Sequence, residues 1–348
     1  MTMQIKLIAG AVGAGLMLAM AAPAAADRIR WDMGSTYAST LTQLGTLGVN
    51  LVAKIERASG GDIQITFHEP GALVPALETF DAVASGSIDA AWSTPGYWAG
   101  KDPTFAMFSA VPFGPGAGEY LAWIYYGGGI ELQDELYAQY GLKSIPCGII
   151  APEASGWFKN EITSTEQLNG LKMRFFGLGA RVMEAMGVST QLLAAGEIYQ
   201  SLELGTIDAT EFSMPAIDLS LGFFQVSQHY YFPGWHQQST IFELLISLES
   251  WEGLEDQQQA ILELACGDAM REGLAEGEAI QFAALQELQA NGVNLHRWPD
   301  EILAELEAAW NGVAADLAAE NENFAKVWES YSSFRENYVV WKELGYLR

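Results

Sequence analysis

The sequence predicts an α/β protein of two lobes, each a mostly parallel sheet flanked by helices, with a long helical tail after them. Three observations predict it. Strand and helix patterns alternate from residue 27 to about residue 150, the rhythm of an α/β lobe. The alternation restarts near Leu142 and closes on a near-copy of an earlier segment. "SGSIDAAW" (Ser85 to Trp92) returns as "LGTIDATE" (Leu204 to Glu211), with Gly86, Ile88, Asp89 and Ala90 matched at a constant offset by Gly205, Ile207, Asp208 and Ala209. From residue 251 onward the apolar residues recur at helical spacing almost throughout.

The elements follow in order. Residues 1–26, "MTMQIKLIAGAVGAGLMLAMAAPAAA", combine an early Lys6, an apolar run and a small-residue end. They read as a secretory signal peptide that is removed, which places the mature chain in the periplasm. "RIRWDMGS" alternates as a strand. Leu41, Leu44, Leu47, Leu51 and Ile55 mark a helix that Gly60-Gly61 stops. "DIQITFH" is a second strand, a helix runs from Pro75 to Gly86, and "SIDAAW" is a third strand. In the second round, "LKSIPCGII" and "LKMRFF" read as strands, Ser164 to Gln167 has capping-box spacing, and "ARVMEAMG" and "EIYQSLELG" read as helices. The expected division is 27–150 for lobe I, with a return of the chain around 212–250. Lobe II takes 151–211 with a helical contribution from 251–298, and 299–348 is the C-terminal helical tail, interrupted near Asn321 to Asn323. The aromatic load of that tail calls for docking on a lobe or on a second copy, a homodimer through the C-terminal helix.

Charge narrows the function classes. The chain has 43 acidic and 17 basic residues, a net charge of −26, which argues against nucleic acid or an anionic membrane as partner. An anionic ligand must therefore be captured by local cationic groups. Cys147 and Cys266 permit a disulfide in an exported protein, but spacing leaves bridge and separate thiols equally open. His68, His229, His236 and His296 lack zinc-site spacing. Open α/β sheets bind ligands beyond the carboxyl ends of their strands, so the repeat puts Trp92 and Glu211 at strand tips facing one cleft.

Four blocks in register, "GDIQITFHEPGALVPALETFDAVASGSIDAAWSTPGYWAG", "SGWFKNEITSTEQLNGLKMRFFGLGARVMEAMG", "SLELGTIDATEFSMPAIDLSLGF" and "YYFPGWHQQST", carry a resemblance over the whole mature chain. They resemble the periplasmic solute-binding subunits of TRAP transporters (DctP-like), in the branch that takes 2-oxo acids and related monocarboxylates. The resemblance implies a two-lobe periplasmic-binding-protein-like (Venus flytrap) fold that closes on one small organic acid and delivers it to a TRAP membrane permease. It places the signature arginine at Arg174, whose planar fork suits a carboxylate. It implies a cation, Ca²⁺ or Na⁺, bridging ligand and protein through Glu153, Glu211, the Phe212 carbonyl and Gln237. Glutamine and tryptophan are expected at 153 and 212, so Glu153 and Phe212 depart from the pattern. Two carboxylates favour Ca²⁺ over Na⁺, but they also admit direct ligand contact through Glu153 or a general acid/base pair. Tyr97, Trp92, Trp235 and His236 complete the expected ligand contacts. The residues supply no nucleophilic triad or phosphate loop, so the expectation is a receptor rather than an enzyme, with no organic cofactor. A periplasmic carboxylate-processing enzyme using Glu153 and Glu211, or the capture subunit of a sensor, stands as the alternative.

Overall fold

A computed structural model describes residues 28–347, and the signal-peptide expectation lies outside the described residues. Two sheets form the two lobes. The first has the order β2-β1-β3-β10-β4, from β1 (Ile29–Ser35), β2 (Ile63–His68), β3 (Ala90–Ser93), β4 (Leu142–Ile150) and β10 (Thr240–Ser247). The second has the order β11-β9-β5-β8-β6-β7, from β5 (Gly156–Phe158), β6 (Lys172–Arg174), β7 (Ser189–Gln191), β8 (Ala209–Thr210), β9 (His229–Phe232) and β11 (Asn294–Arg297). Both sheets are mixed. The βαβ units pair in parallel, whereas β10 and β5, where the chain crosses between lobes, run antiparallel to their neighbours.

The helices follow from apolar spacing. In α1 (Thr46–Ala58), Leu47, Leu51 and Ile55 are buried on one face. The helix starts later than Leu41, because Gln43 adopts a left-handed φ of 59° and turns the chain first. Helices α2 (Thr79–Ala84), α5 (Gly177–Ala185) and α6 (Ala195–Glu203) cross over between parallel strands. Helices α3 (Ala117–Tyr126) and α4 (Gly129–Ala138) fill a stretch for which the sequence predicts no element, and α7 (Pro215–Leu221) follows β8. The short α8 (Leu248–Glu252) leads into α9 (Asp256–Ala290), which packs on β4 and α1 and then on α7 before the chain enters β11 in the second sheet. Gly273 allows the close approach: a Cβ there would lie 2.7 Å from the Ile149 carbonyl oxygen. A disulfide, Cys147 to Cys266 with Cα atoms 4.1 Å apart, joins β4 to α9.

The tail breaks at Asn321, between α10 (Asp300–Glu320) and α11 (Glu322–Gly345). Helix α10 packs on α5, and α11 on α3, α4 and the turn at 103–108. Asn321 caps α11 through Phe324 N–H at 2.8 Å, and its side chain donates to Asp102 at 3.1 Å.

Candidate functional site

Between the sheets lies a small cavity lined by Tyr37, Leu44, Thr94, Tyr97, Ile150, Glu153, Arg174, Phe176, Phe212, Ser213, Gln237, Thr240 and Phe242. The first lobe supplies aromatic walls; the second supplies charge at its strand ends.

Arg174 ends β6 and is buried. Its Nη1 donates to the Glu211 carbonyl at 2.9 Å and to Glu211 Oε1 at 2.7 Å, and its Nε donates to the Leu193 carbonyl at 3.2 Å. The guanidinium lies 5.1 Å over the Phe212 ring, a cation–π arrangement. No acceptor for Nη2 is found among the described residues.

Glu211 follows β8 directly. Its Oε1 also accepts from Phe176 N–H at 2.6 Å. Its Oε2 has no hydrogen-bond partner and lies 3.5 Å from His236 Nε2. Burial pushes this carboxyl's pKa up, but the Arg174 guanidinium, His236 and the Phe176 amide together hold it below the usual range.

Glu153 is held differently. Thr240 Oγ1, Ser213 Oγ and Gln237 Nε2 approach its Oε1 at 3.2, 3.4 and 3.4 Å, while its Oε2 has no partner. Burial pushes its pKa well up, and the nearby Glu211 and Asp218 add to the rise. Asp218 is itself raised to about 7, mainly by burial, although Trp157 and Tyr230 donate to it.

Three buried oxygens are thus left unpaired: Glu153 Oε2, Glu211 Oε2 and Gln237 Oε1. Each such group costs about 1–3 kcal/mol if nothing meets it. The Phe212 carbonyl accepts no hydrogen bond among the described residues. Glu153, Glu211 and His236 can each present a ligand atom within 4.8 Å of the others. This set of mostly hard oxygen donors fits Ca²⁺ or Na⁺.

The structure therefore brings Arg174, Tyr97, Glu153, Phe212 and Gln237 to the cavity wall, with Glu211 and His236 directly behind. It does not bring Trp92 or Trp235 there. Trp92 stays inside β3, donates its indole N–H to the Leu44 carbonyl at 2.7 Å and stacks on Phe242 at 5.5 Å. The repeat misleads here because β3 runs on to Ser93, whereas β8 stops at Thr210 and lets Glu211 turn inward. Trp235 packs between Phe113 at 5.7 Å and Phe175 at 5.8 Å. Sequence reading missed Tyr37, Thr94, Phe176, Ser213, Thr240 and Phe242 on the wall, and Asp218 behind it. Only Phe176, adjacent to the arginine strand, carried a local signal.

Known proteins bear on this geometry. Residues 33–321 match the family model described as bacterial extracellular solute-binding protein, family 7. A monocarboxylate 2-oxoacid-binding periplasmic protein of Nostoc sp. is 34% identical over 321 residues, 92% of this chain and 87% of that protein. A TRAP transporter solute-binding protein of Bordetella bronchiseptica, crystallised as a mixed-occupancy dimer with calcium and picolinate, superposes with a TM-score of 0.89 at 31% identity. The match covers 91% of this chain and 95% of that one. One from Pseudoalteromonas atlantica, with bound sodium and pyruvate, gives a TM-score of 0.87 at 31% identity, covering 91% and 97%. With the family model spanning most of its length, this chain belongs to the bacterial extracellular solute-binding proteins of family 7, the DctP family of TRAP transporter receptors.

Proposed function

We propose that this protein is a periplasmic receptor that captures a small 2-oxo acid or related monocarboxylate together with a divalent cation and presents both to a TRAP permease. The observation that carries the reading is the set of unpaired buried oxygens on Glu153, Glu211 and Gln237 beside an arginine whose Nη2 has no protein partner. A carboxylate on Arg174 gains strength in a dry, closed cavity. An oxygen or nitrogen next to that carboxylate would complete a chelate on the cation, a chemistry shared by the pyruvate and picolinate of the relatives.

Charge favours calcium over sodium. A bound cation would ionise Glu153 as well as Glu211 beside the single guanidinium of Arg174, and the ligand adds another negative charge. A monovalent ion leaves that excess largely in place; a divalent one offsets it. Glu153, Glu211, Gln237 and the Phe212 carbonyl would hold the ion, whose role is to bridge ligand to protein. In this reading Glu153 and Glu211 serve as ligands rather than as acid and base. Solute should be recovered unchanged after long incubation.

A second copy of the chain is proposed as partner for the tail. Trp341 and Leu344 at the end of α11 are 59% and 83% exposed, and Leu347 just beyond it is fully exposed. A groove lined by Phe113, Trp310, Trp328 and Val339 lies along the same helix.

The test of the receptor reading is thermal unfolding of mature protein freed of solute and metal, with pyruvate or picolinate in calcium, sodium or chelator. A ligand at 100 times its Kd adds about 2.7 kcal/mol. A rise in midpoint that needs both acid and calcium is expected. Unfolding indifferent to every combination would overturn the reading.

A further inference from the structure

Asp218 in the first turn of α7 is fully buried, yet it neither lines the cavity nor belongs to the donor set. Its Oδ2 accepts from Trp157 Nε1 at 2.9 Å and from the Tyr230 hydroxyl at 2.8 Å. Its Oδ1 accepts from Ser213 N–H at 3.1 Å. Trp157 and Tyr230 sit on the paired strands β5 and β9, register partners whose rings stack 3.9 Å apart. One carboxylate therefore fastens three separate chain segments.

The segment it fastens on the cavity side is the link from β8 to α7. That link presents, in three consecutive residues, the Glu211 carboxylate, the Phe212 carbonyl and the Ser213 hydroxyl. Arg174 Nη1 and Phe176 N–H hold the Glu211 end of the link, with Glu211 N–H on the Arg174 carbonyl at 3.2 Å, and Ala154 N–H binds the Ser213 carbonyl at 3.2 Å. Ala154 neighbours Glu153, so the path of the link also fixes the distance between the two acids.

We infer that Asp218 is a positioning residue of the ligand site, which sets where the Glu211 and Phe212 oxygens stand relative to Glu153. This rests on the reading that those oxygens hold a cation. The physical argument is one of necessity. A carboxylate deep in an apolar interior is costly unless its partners are fixed. Packing alone would be met by an apolar side chain of the same size. Partners one step behind a metal ligand hold its orientation, and their loss typically weakens binding about 10- to 100-fold.

The experiment uses the mature receptor stripped by chelation and titrated calorimetrically with calcium in the presence and absence of pyruvate. Unfolding midpoints of the stripped protein are measured alongside. Asp218→Asn keeps shape but sets one amide hydrogen against a donor, and calcium binding with pyruvate should weaken about 10- to 100-fold. Tyr230→Phe removes one of the three donors without touching the link, and binding should weaken severalfold. Glu119→Gln serves as comparison, because that buried carboxylate is held by Arg335 at 2.9 Å, away from the cavity. It should lower the midpoint while leaving affinity within about twofold, the loss expected of a role in stability alone. Wild-type affinity in Asp218→Asn would overturn the inference, as would an equal affinity loss in Glu119→Gln. Should Asp218→Asn fail to fold, unchanged affinity in Tyr230→Phe overturns it. A wild-type protein that takes up no calcium, with or without pyruvate, removes the reading of the site and this inference together.

Discussion

Glu153 gives the site its second carboxyl group. A glutamine in its place would keep an oxygen for the cation while removing the repulsion from Glu211 and Asp218 that helps raise its pKa. Glu153→Gln should therefore raise the midpoint of the metal-free protein at neutral pH, since burying an amide costs less than burying an unpaired carboxylate. It should also shift the preference from calcium towards sodium, with calcium affinity falling about tenfold, the effect of one lost charged ligand. Titrations with each ion at fixed ionic strength check this, and an unaltered calcium preference would mean that Glu153 is not a ligand. At this scale the sequence was informative wherever a residue stands inside a block with its own pattern. Arg174 in "LKMRFF" and Glu153 before "GWF" are of that kind. Tyr37 and Thr240 were not legible, because they reach the cavity through loop and sheet geometry. The left-handed Gln43 reverses the chain after Tyr37, and a bulge between Phe242 and Glu243 shifts the register of β10 against β4. Neither event leaves a periodic trace.

Among the elements, the turn after β3 meets the second lobe directly. Gly96 sits in it (Pro95–Trp98) against the ring of Phe176 from the other lobe, and a Cβ at Gly96 would lie 2.3 Å from that ring. Tyr97 meets the same ring edge-on at 4.8 Å. Gly96→Ala should leave the unfolding free energy of the unliganded protein within about 1 kcal/mol, because lobes held apart never bring the two groups together. It should weaken ligand binding by tenfold or more, through overpacking of the closed form of about 1–3 kcal/mol. Equal affinities for variant and parent would show that the lobes close without this contact. Strands β1 to β4, β6 and β8 and the crossover helices were legible from alternation and helical spacing, as were the long helices after residue 251, whereas the three-residue strands β5 and β7 are too short to show a period. Helices α3 and α4 were not, since their apolar residues face several neighbours and give no clean stripe. Strands β9 and β10 went unread for a related reason. All of β10 except Ser247 is buried, so it shows no alternation.

Over the whole molecule, the tail spans both lobes. Helix α10 rests on α5, α11 rests on the first lobe, and the clamp of Asn321 and Asn323 on Asp102 marks the joint. The exposed apolar end of α11 lies beyond these contacts. Trp341→Glu combined with Leu344→Glu should convert a dimer into a monomer in sedimentation velocity while leaving acid affinity unchanged. A parent protein that is monomeric at all concentrations tested would remove the pairing. The disposition of the two glutamates has a further consequence for traffic through the membrane. With no cargo, the closed form buries Glu153 Oε2 and Glu211 Oε2 without a hydrogen-bond partner in the protein, so a vacant receptor has an electrostatic reason to stay ajar. Solute and cation together remove that penalty. Because a permease that recognises only the shut form would ignore idle copies, abundant empty receptors would not compete with loaded ones for the same gate.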